Sequence, residues 1–390
     1  MKKILAILLA TLFVFPVVSC KKKAPGDVDI SLEGIEEMYE KDPKAAAETI
    51  LSSMSLDEKI YQLFVVVPEA LGDGGTVTEV TDAVREGLSQ YPVGGVVLFG
   101  DNLQNRDQVT KLIAELQNAS EVPLFMAVDE EGGTVSRLSG IEGMGVSSQP
   151  TMREVGDSGD ANRAYEIGKT IGAEIKGLGF NTDFAPVADL LINEDNTEIG
   201  SRSFGTEPER VSSMVENMVK GLRESGVASA LKHFPGHGSA LADSHSGRAV
   251  SQRTLEEMQA AELLPFKAGI NAHTDFVMIS HMVNKDLTKT NMECSMSTNV
   301  MTNILRNGIG YTNIIITDSL SMGAITGYYS AGAAALTAFE AGADMLLMPA
   351  NIEEAAKAIR GAVQSGRVKE ERIDKSVERI LKVKLERGII

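Results

Sequence analysis

The sequence predicts an α/β protein folded as a single (β/α)8 barrel of the TIM type. Short apolar segments recur along residues 51–390, and most are followed by a polar or glycine-rich exit and then by a segment of helix length. This alternation is typical of parallel βα units. Eight apolar segments are present, a number that favours closure into a barrel. An open doubly wound sheet is the alternative fold.

The predicted elements can be justified one after another along the chain. Strands are predicted at residues 63–67, 93–99, 123–128, 180–185, 227–231, 275–279, 313–316 and 343–348. Helices, with apolar residues at helical spacing, are predicted at residues 108–119, 161–178, 208–225, 255–271 and 372–387. The helix that precedes the first strand begins at a capping box, in which Ser55 is the N-cap and Glu58 reaches back to it.

The first 50 residues lie outside this alternation. Residues 1–19 have the layout of a secretory signal, with two lysines before an apolar segment. The segment ends in a sequence that resembles a bacterial lipobox, so we expect Cys20 to become the lipidated first residue of the mature protein. Residues 20–50 are then a tether and a helical segment, and residues 51–390 are the barrel domain. An uncleaved anchor helix is the alternative, but about 15 apolar residues containing Pro16 are short for a bilayer.

The composition of the chain argues against some classes of binding partner and cofactor. The chain carries 54 acidic and 37 basic residues, a formal net charge of −17, which argues against binding to nucleic acid or to an anionic membrane through the folded surface. The two cysteines, Cys20 and Cys294, exclude a disulfide framework. No phosphate-binding or dinucleotide fingerprint follows a predicted strand. We therefore expect an exported monomer without a cofactor, held at a membrane by its lipid alone.

Titratable side chains stand where the predicted strands end. In order along the chain they are Asp129, Asp183, Lys232-His233, His281 and Asp318. The carboxyl ends of the strands of a parallel barrel meet at one face, and that face holds the active site. The sequence therefore predicts a site at this face built from carboxylates, a lysine and histidines.

Residues 232–245 are the densest cluster of these groups, with three of the five histidines of the chain. Asp243 precedes His245 by two residues and can hydrogen-bond its ring, which would hold one tautomer and favour the protonated form. His245 is thus a candidate proton donor. Asp318, at the end of a β-branched strand, is a candidate nucleophile, and its structural alternative is a helix N-cap.

Two other segments supply groups suited to sugar hydroxyls. Asp129 can accept hydrogen bonds and Arg137 offers a planar donor fork, on either side of the paired glycines at 132 and 133. Arg202 offers a second guanidinium. The alternatives are an acidic turn for the first segment and a surface loop for the second.

Metal chemistry and a serine triad are weaker explanations of the cluster. His233, His237, Asp243 and His245 form a zinc-like set. However, Pro and Gly separate the first two histidines, and Lys232 would repel a cation, so no metal is expected. A triad through Ser244 lacks the G-x-S-x-G turn that would present the serine.

These residues resemble those of family-3 glycoside hydrolases, in the β-N-acetylhexosaminidase branch. The resemblance rests on Lys-His-Phe-Pro-Gly-His-Gly from residue 232 with Asp-Ser-His at 243–245. Segments 54–60, 129–137, 202–205 and 317–322 fit the same family in the same order. The resemblance implies a (β/α)8 barrel that removes terminal N-acetylglucosamine with retention and without a metal.

The same resemblance implies a role for each candidate residue. Asp318 would be the nucleophile and His245 the acid/base, with Asp243 as its partner. The residues that would bind sugar hydroxyls are Asp129, Arg137, Arg202, Lys232 and His233. Members that recycle peptidoglycan act on GlcNAc–anhydro-muramyl fragments, and an exported lipoprotein would meet related wall fragments.

Some residues depart from the family pattern, and other functions stay open. Glu130 and Thr134 stand where Gln and Arg are usual, and Ser239-Ala240 replaces Asp-Thr, so the sugar preference is open. The alternatives are a β-N-acetylglucosaminide phosphorylase, substrate-assisted hydrolysis through the N-acetyl group, and a non-catalytic wall-binding lipoprotein.

Overall fold

A closed parallel barrel is the centre of the computed structural model, which describes residues 32–240 and 248–390. Its strands are β1 (Phe64–Val66), β2 (Gly95–Val97), β3 (Phe125–Val128), β4 (Thr182–Asp183), β5 (Ala228–Phe234), β6 (Phe276–Ile279), β7 (Ile314–Thr317) and β8 (Leu346–Leu347). From β1 to β7 each strand pairs in parallel with the next, and β8 pairs with β1. Thr317 N donates to Met345 O at 3.2 Å and joins β7 to β8. The prediction of a (β/α)8 barrel is confirmed.

Helices surround the barrel. In the described residues the α-helices are Leu32–Lys41, Pro43–Ser53, Leu56–Gln62, Asp82–Gln90, Arg106–Ala119, Met152–Ser158, Ala161–Lys176, Pro208–Glu224, Leu255–Ala260, Leu263–Asn271, Lys285–Thr288, Gly323–Thr326, Ala331–Ala341, Ile352–Gln364 and Glu370–Glu386. Asn299–Ile309 is a π-helix. The 3-10 turns are Pro68–Leu71, Gly100–Asn102, Gly200–Arg202, His237–Ser239 and Cys294–Met296. A hairpin of Glu130–Gly132 and Val135–Ser136 follows β3.

Two elements differ from the prediction for physical reasons. The helix predicted over residues 255–271 is interrupted at Ala261. Because a proline inside a helix loses a hydrogen bond, the interruption places Pro265 in the first turn of the second helix, where proline is tolerated. β5 extends beyond the predicted end at residue 231, because Lys232 has acidic partners and stays buried within the strand.

The first helices close the opposite end of the barrel from the strand exits. The capping box of Ser55 and Glu58 is present, and the helix Pro43–Ser53 packs on Glu370–Glu386. Cys20 and the predicted signal lie outside the described residues. Across residues 32–240 and 248–390, no helix combines the length and the apolar character needed to cross a membrane.

The barrel interior is filled by aromatic rings above a buried lysine. Phe276 lies edge-on to Phe125, with ring centroids 5.0 Å apart, and packs against Phe184 on its other side. At the amino end of the strands Lys384 is fully buried, with its Nζ 2.9 Å from Gln62 Oε1. Burial lowers the pKa of Lys384 to about 7. This packing leaves the carboxyl end as the place for a ligand cavity.

Candidate active site

A cavity of about 320 Å³ opens at the carboxyl ends of the strands. This volume falls within the range of small-molecule sites. Its charged and imidazole side chains are Asp129, Glu131, Arg137, Arg202, Lys232, His233 and Asp318. Its apolar walls are Phe99, Val135, Phe184, Met278, Met322, Leu347 and Met348. The structure thus brings six of the candidate site residues to one cavity.

Two carboxylates and two cations form a network on one wall. Lys232 Nζ lies 2.6 Å from Asp129 Oδ1 and 2.6 Å from Glu131 Oε1. Arg202 donates to both oxygens of Glu131, at 2.8 Å each, in a bidentate pair. Burial raises the pKa of Glu131, but the charges of Lys232 and Arg202 outweigh it and lower the pKa to about 2. Glu131 is therefore ionised, and the ion pairs hold all four side chains in fixed geometry.

Arg137 reaches the same cavity from the hairpin. Glu130 closes this hairpin by accepting from Arg137 N, Leu138 N and Ser136 Oγ, and Gly132, with φ of +84°, provides the turn. The guanidinium stands 5.5 Å from the centre of the Phe99 ring, and its Nη2 is 3.7 Å from Asp129 Oδ2. Its buried Nε has no hydrogen-bond partner in the described part of the chain, so one donor remains to be satisfied.

His233 is held by a carboxylate. Asp189 is fully buried and accepts from His233 N at 3.1 Å and from His237 N at 2.6 Å. Its Oδ2 also lies 2.8 Å from His233 Nδ1. An ionised carboxylate can only accept, so Nδ1 carries a proton and Nε2 is on the side of the ring away from Asp189.

Asp318 follows β7 and presents a partly open carboxylate. Its Oδ1 accepts from Ser319 N at 2.7 Å, and within the described residues Oδ2 has no hydrogen-bond partner. Burial raises the pKa of Asp318, but His281, His233, the Ser319 N–H and Lys232 together outweigh it, and the pKa is lowered. Asp318 is therefore ionised at neutral pH with one oxygen available.

The other two strand-exit residues do not line the cavity. His281 is fully buried behind Asp318, donates from Nε2 to Ser319 O at 2.8 Å, and contacts Ser295 Oγ through Nδ1 at 2.7 Å. Burial lowers the pKa of His281, and the two contacts of its ring support the loop that carries Ser319. Asp183 is also buried, and its Oδ1 accepts from Glu130 N at 3.0 Å.

Asp243 and His245 lie outside the described residues, so their predicted roles remain predictions. The chain on both sides of residues 241–247 is fixed at the carboxyl end of the barrel. On one side Asn193 Nδ2 donates to Ala240 O at 2.9 Å. On the other side Arg248 Nε donates to Glu293 Oε1 at 2.7 Å.

Sequence reasoning missed two carboxylates of the site, Glu131 and Asp189. Glu131 could have been found as the second residue after Asp129 in an acidic run, and Asp189 as the acid that ends the apolar residues 184–188.

Within residues 32–240 and 248–390, no group of three or more His, Cys, Asp or Glu side chains is arranged to hold a metal ion. Cys294 is buried, and burial raises the pKa of its thiol.

Fold and site together define a (β/α)8-barrel protein with a charge-lined cavity for a small polar ligand. Residues 55–383 match the family model "Glycosyl hydrolase family 3 N terminal domain". The chain belongs to this family, as the sequence resemblance implied.

The names of similar proteins place the chain in the hexosaminidase branch of the family. It is 32% identical over 333 residues to Beta-hexosaminidase A of Pseudoalteromonas piscicida, covering 79% of this chain and 56% of the relative. It is 33% identical to the Beta-hexosaminidase of Stenotrophomonas maltophilia, covering 73% and 85%. The solved structure of a family 3 beta-N-acetylglucosaminidase from Paenibacillus superposes with a TM-score of 0.81 and 37% identity, covering 86% of this chain and 63% of that one. The chain thus spans under two thirds of two of these relatives.

Proposed function

We propose that this protein is a retaining exo-β-N-acetylglucosaminidase that acts by double displacement. The observation that carries the proposal is Asp318, which is ionised, fixed through one oxygen, and open through the other toward a cavity of sugar-binding size. An open carboxylate on a rigid strand end is suited to attack an anomeric carbon.

The charges of the cavity support a neutral, hydroxyl-rich ligand. Three carboxylates, Asp129, Glu131 and Asp318, are balanced by three cations, Arg137, Arg202 and Lys232. A cavity with no surplus charge does not select an anion, whereas its many donors and acceptors suit sugar hydroxyls. In the proposed complex Asp129 accepts hydrogen bonds, the three cations donate them, and His233 contacts a hydroxyl through Nε2.

The proposed reaction has two steps. Asp318 Oδ2 attacks the anomeric carbon, and the bond from that carbon to the leaving oxygen breaks as protonated His245 gives that oxygen a proton. Water then attacks the anomeric carbon and gives one proton to His245 as the bond from that carbon to Asp318 breaks, which regenerates both groups and retains configuration. Asp243 holds the His245 ring. Retaining enzymes commonly use two carboxylates about 5–5.5 Å apart, so an imidazole replaces one of them here.

The proposed setting is outside the cytoplasm. Cleavage after residue 19 and lipidation of Cys20 would hold the enzyme at a membrane, on the periplasmic or extracellular side. Cell-wall fragments ending in β-linked N-acetylglucosamine are the proposed natural substrates. Of this proposal, the names of the relatives support the terminal N-acetylglucosamine.

Hydrolysis of a panel of aryl β-glycosides in the presence of EDTA tests the proposal. We expect turnover of the N-acetylglucosaminide and not of the glucoside or galactoside. No turnover of any member, with wall fragments bound, would favour the non-catalytic lipoprotein. A sugar 1-phosphate formed in phosphate buffer would favour the phosphorylase. Failure of a 2-deoxy-2-fluoro sugar to label Asp318, despite turnover, would favour substrate-assisted chemistry.

A further inference from the structure

Tyr328 is an exposed aromatic side chain with a cation on one face. Of the large hydrophobic side chains in the described residues it has the highest exposure, 58%. The guanidinium carbon of Arg248 lies 3.9 Å from the centre of its ring. Since Arg248 covers one face and more than half of the residue is exposed, the opposite face is open.

The arginine beneath the ring is held rigidly. Arg248 Nε donates to Glu293 Oε1 at 2.7 Å, and Tyr329 OH donates to Glu293 Oε2 at 2.9 Å. Glu293 is fully buried, and a buried carboxylate is stable only when its oxygens are satisfied in this way. Arg248 is therefore fixed in position beneath the Tyr328 ring. A tyrosine that only contacts solvent does not need such a fixed partner.

The ring stands near the rim of the sugar cavity. Met322 lines that cavity and is the N-cap of the helix Gly323–Thr326. Tyr328 lies two residues beyond the end of this helix, and its N–H donates to Ile325 O at 2.9 Å. Ile325 N also donates to Met322 O at 2.9 Å. Each of these two hydrogen-bonded turns keeps Cα atoms three residues apart within about 7 Å, so the Tyr328 Cα lies within about 14 Å of the Met322 Cα, a distance that two or three sugar rings can bridge.

A second cavity adjoins the same arginine. It has a volume of about 710 Å³, and its wall includes Arg248, Val250, Ser251, Asn284 and Asn291. Val250 is another of the exposed large hydrophobic side chains. Amide, hydroxyl and guanidinium groups beside apolar surface suit the alternating faces of a saccharide, so a longer leaving group has space beyond Tyr328.

We propose that Tyr328, supported by Arg248, is an aglycone platform on which the leaving-group sugar stacks through its C–H face. This inference rests on the proposed glycosidase function and names its substrate class: a saccharide of at least two rings. Aromatic rings bind such apolar faces by burying area at low conformational cost. Stacking maintained in the transition state raises kcat/KM only for substrates that carry a leaving-group ring.

Two substrates distinguish stacking of the leaving-group sugar on Tyr328 from a role of Tyr328 that is the same for every substrate. N,N′-diacetylchitobiose has a leaving-group sugar, whereas N-acetyl-β-glucosaminyl fluoride has none. For Tyr328→Ala we expect the ratio of kcat/KM for the disaccharide to kcat/KM for the fluoride to fall about tenfold, or 1.4 kcal/mol. Tyr328→Phe should keep the ratio, because the ring remains. Thermal unfolding of each variant confirms that it is folded.

Tyr165→Ala is the matched control. Tyr165 lies on the outer helix Ala161–Lys176 and also has a cation near its ring, Lys169 at 5.5 Å, so its loss should leave the ratio as it was. A ratio in Tyr328→Ala equal to that of the unsubstituted protein would overturn the platform while the proposed function stands. Turnover of neither substrate by the unsubstituted protein would overturn both.

Discussion

The two ends of the barrel hold the same kinds of side chain in different surroundings. At the amino end, Asp344 is fully buried and accepts from Ile315 N at 3.0 Å, Ser376 Oγ at 2.7 Å and Arg379 Nη1 at 3.0 Å, and it also pairs with Arg306. At the carboxyl end, Asp318 has one oxygen bonded to the protein and one open to the cavity. A carboxylate with every oxygen occupied stabilises the fold, and one left partly open can react.

The largest expected effect is loss of the open carboxylate. Asp318→Ala should abolish turnover, lowering kcat/KM for an aryl N-acetylglucosaminide by about four orders of magnitude or more, as for other essential nucleophiles. Stability should change little, because only Ser319 N–H loses a partner. Initial-rate kinetics and thermal unfolding measure the two effects. Asp318→Asn, which keeps that acceptor, is the control, and retained turnover in Asp318→Ala would contradict the assignment.

Substitution of the proposed acid/base should give a loss that depends on the leaving group. His245→Ala should reduce kcat/KM by about 10²–10⁴ for a poor leaving group, since proton transfer contributes that much, and far less for an activated aryl glycoside. A plot of log kcat/KM against leaving-group pKa measures this. Equal losses for both substrates would argue against acid catalysis by His245.

Loss of the closed carboxylate should act on stability instead. Asp344→Ala leaves Arg306 and Arg379 without their buried partner, and we expect the free energy of unfolding to fall by about 3–5 kcal/mol. Urea denaturation measures this change, and kcat per folded molecule should be that of the unsubstituted protein. The distinction between the two ends fails if catalysis is lost in this variant without a loss of stability.

The smallest expected effect, taken per pH unit, is the pH dependence of the free energy of unfolding that Lys384 causes at the amino end of the barrel. The pKa of Lys384 is about 7 in the folded protein, against the ordinary lysine value of 10.5 expected in the unfolded chain. At a pH between these two pKa values, Lys384 is therefore protonated in the unfolded chain and neutral in the folded protein. The free energy of unfolding should gain about 1.4 kcal/mol per pH unit from Lys384 as pH rises through that window.

Urea denaturation at several pH values from 7 upward tests this contribution. Lys384→Met should remove it, making the curve flatter with rising pH. Lys375→Met, on the exposed side of the same helix, is the control and should keep the slope. An identical pH profile in Lys384→Met and the unsubstituted protein would show that Lys384 is not the source.

The barrel could be predicted because each of its strands is marked by a local pattern in the sequence. Every predicted strand is present, since each buried strand appears as a short apolar run, and Asp129, Lys232 and Asp318 mark where runs end. Partners could not be predicted, because they come from distant parts of the chain. Arg202 binds Glu131 from 71 residues away, and His233 binds Asp189 from 44. For the same reason the sequence could not show that Asp183 and His281 point into the protein and not into the cavity.

Glu131 also bears on how this scaffold can change its specificity. Its carboxylate pairs with both Lys232 and Arg202, while of these two cations Asp129 pairs only with Lys232, so replacement of Glu131 by an amide would leave one positive charge unbalanced at the cavity wall. Such a receptor would favour uronic or other acidic sugars over N-acetylglucosamine. Such a change of sugar preference would need no change in Asp318.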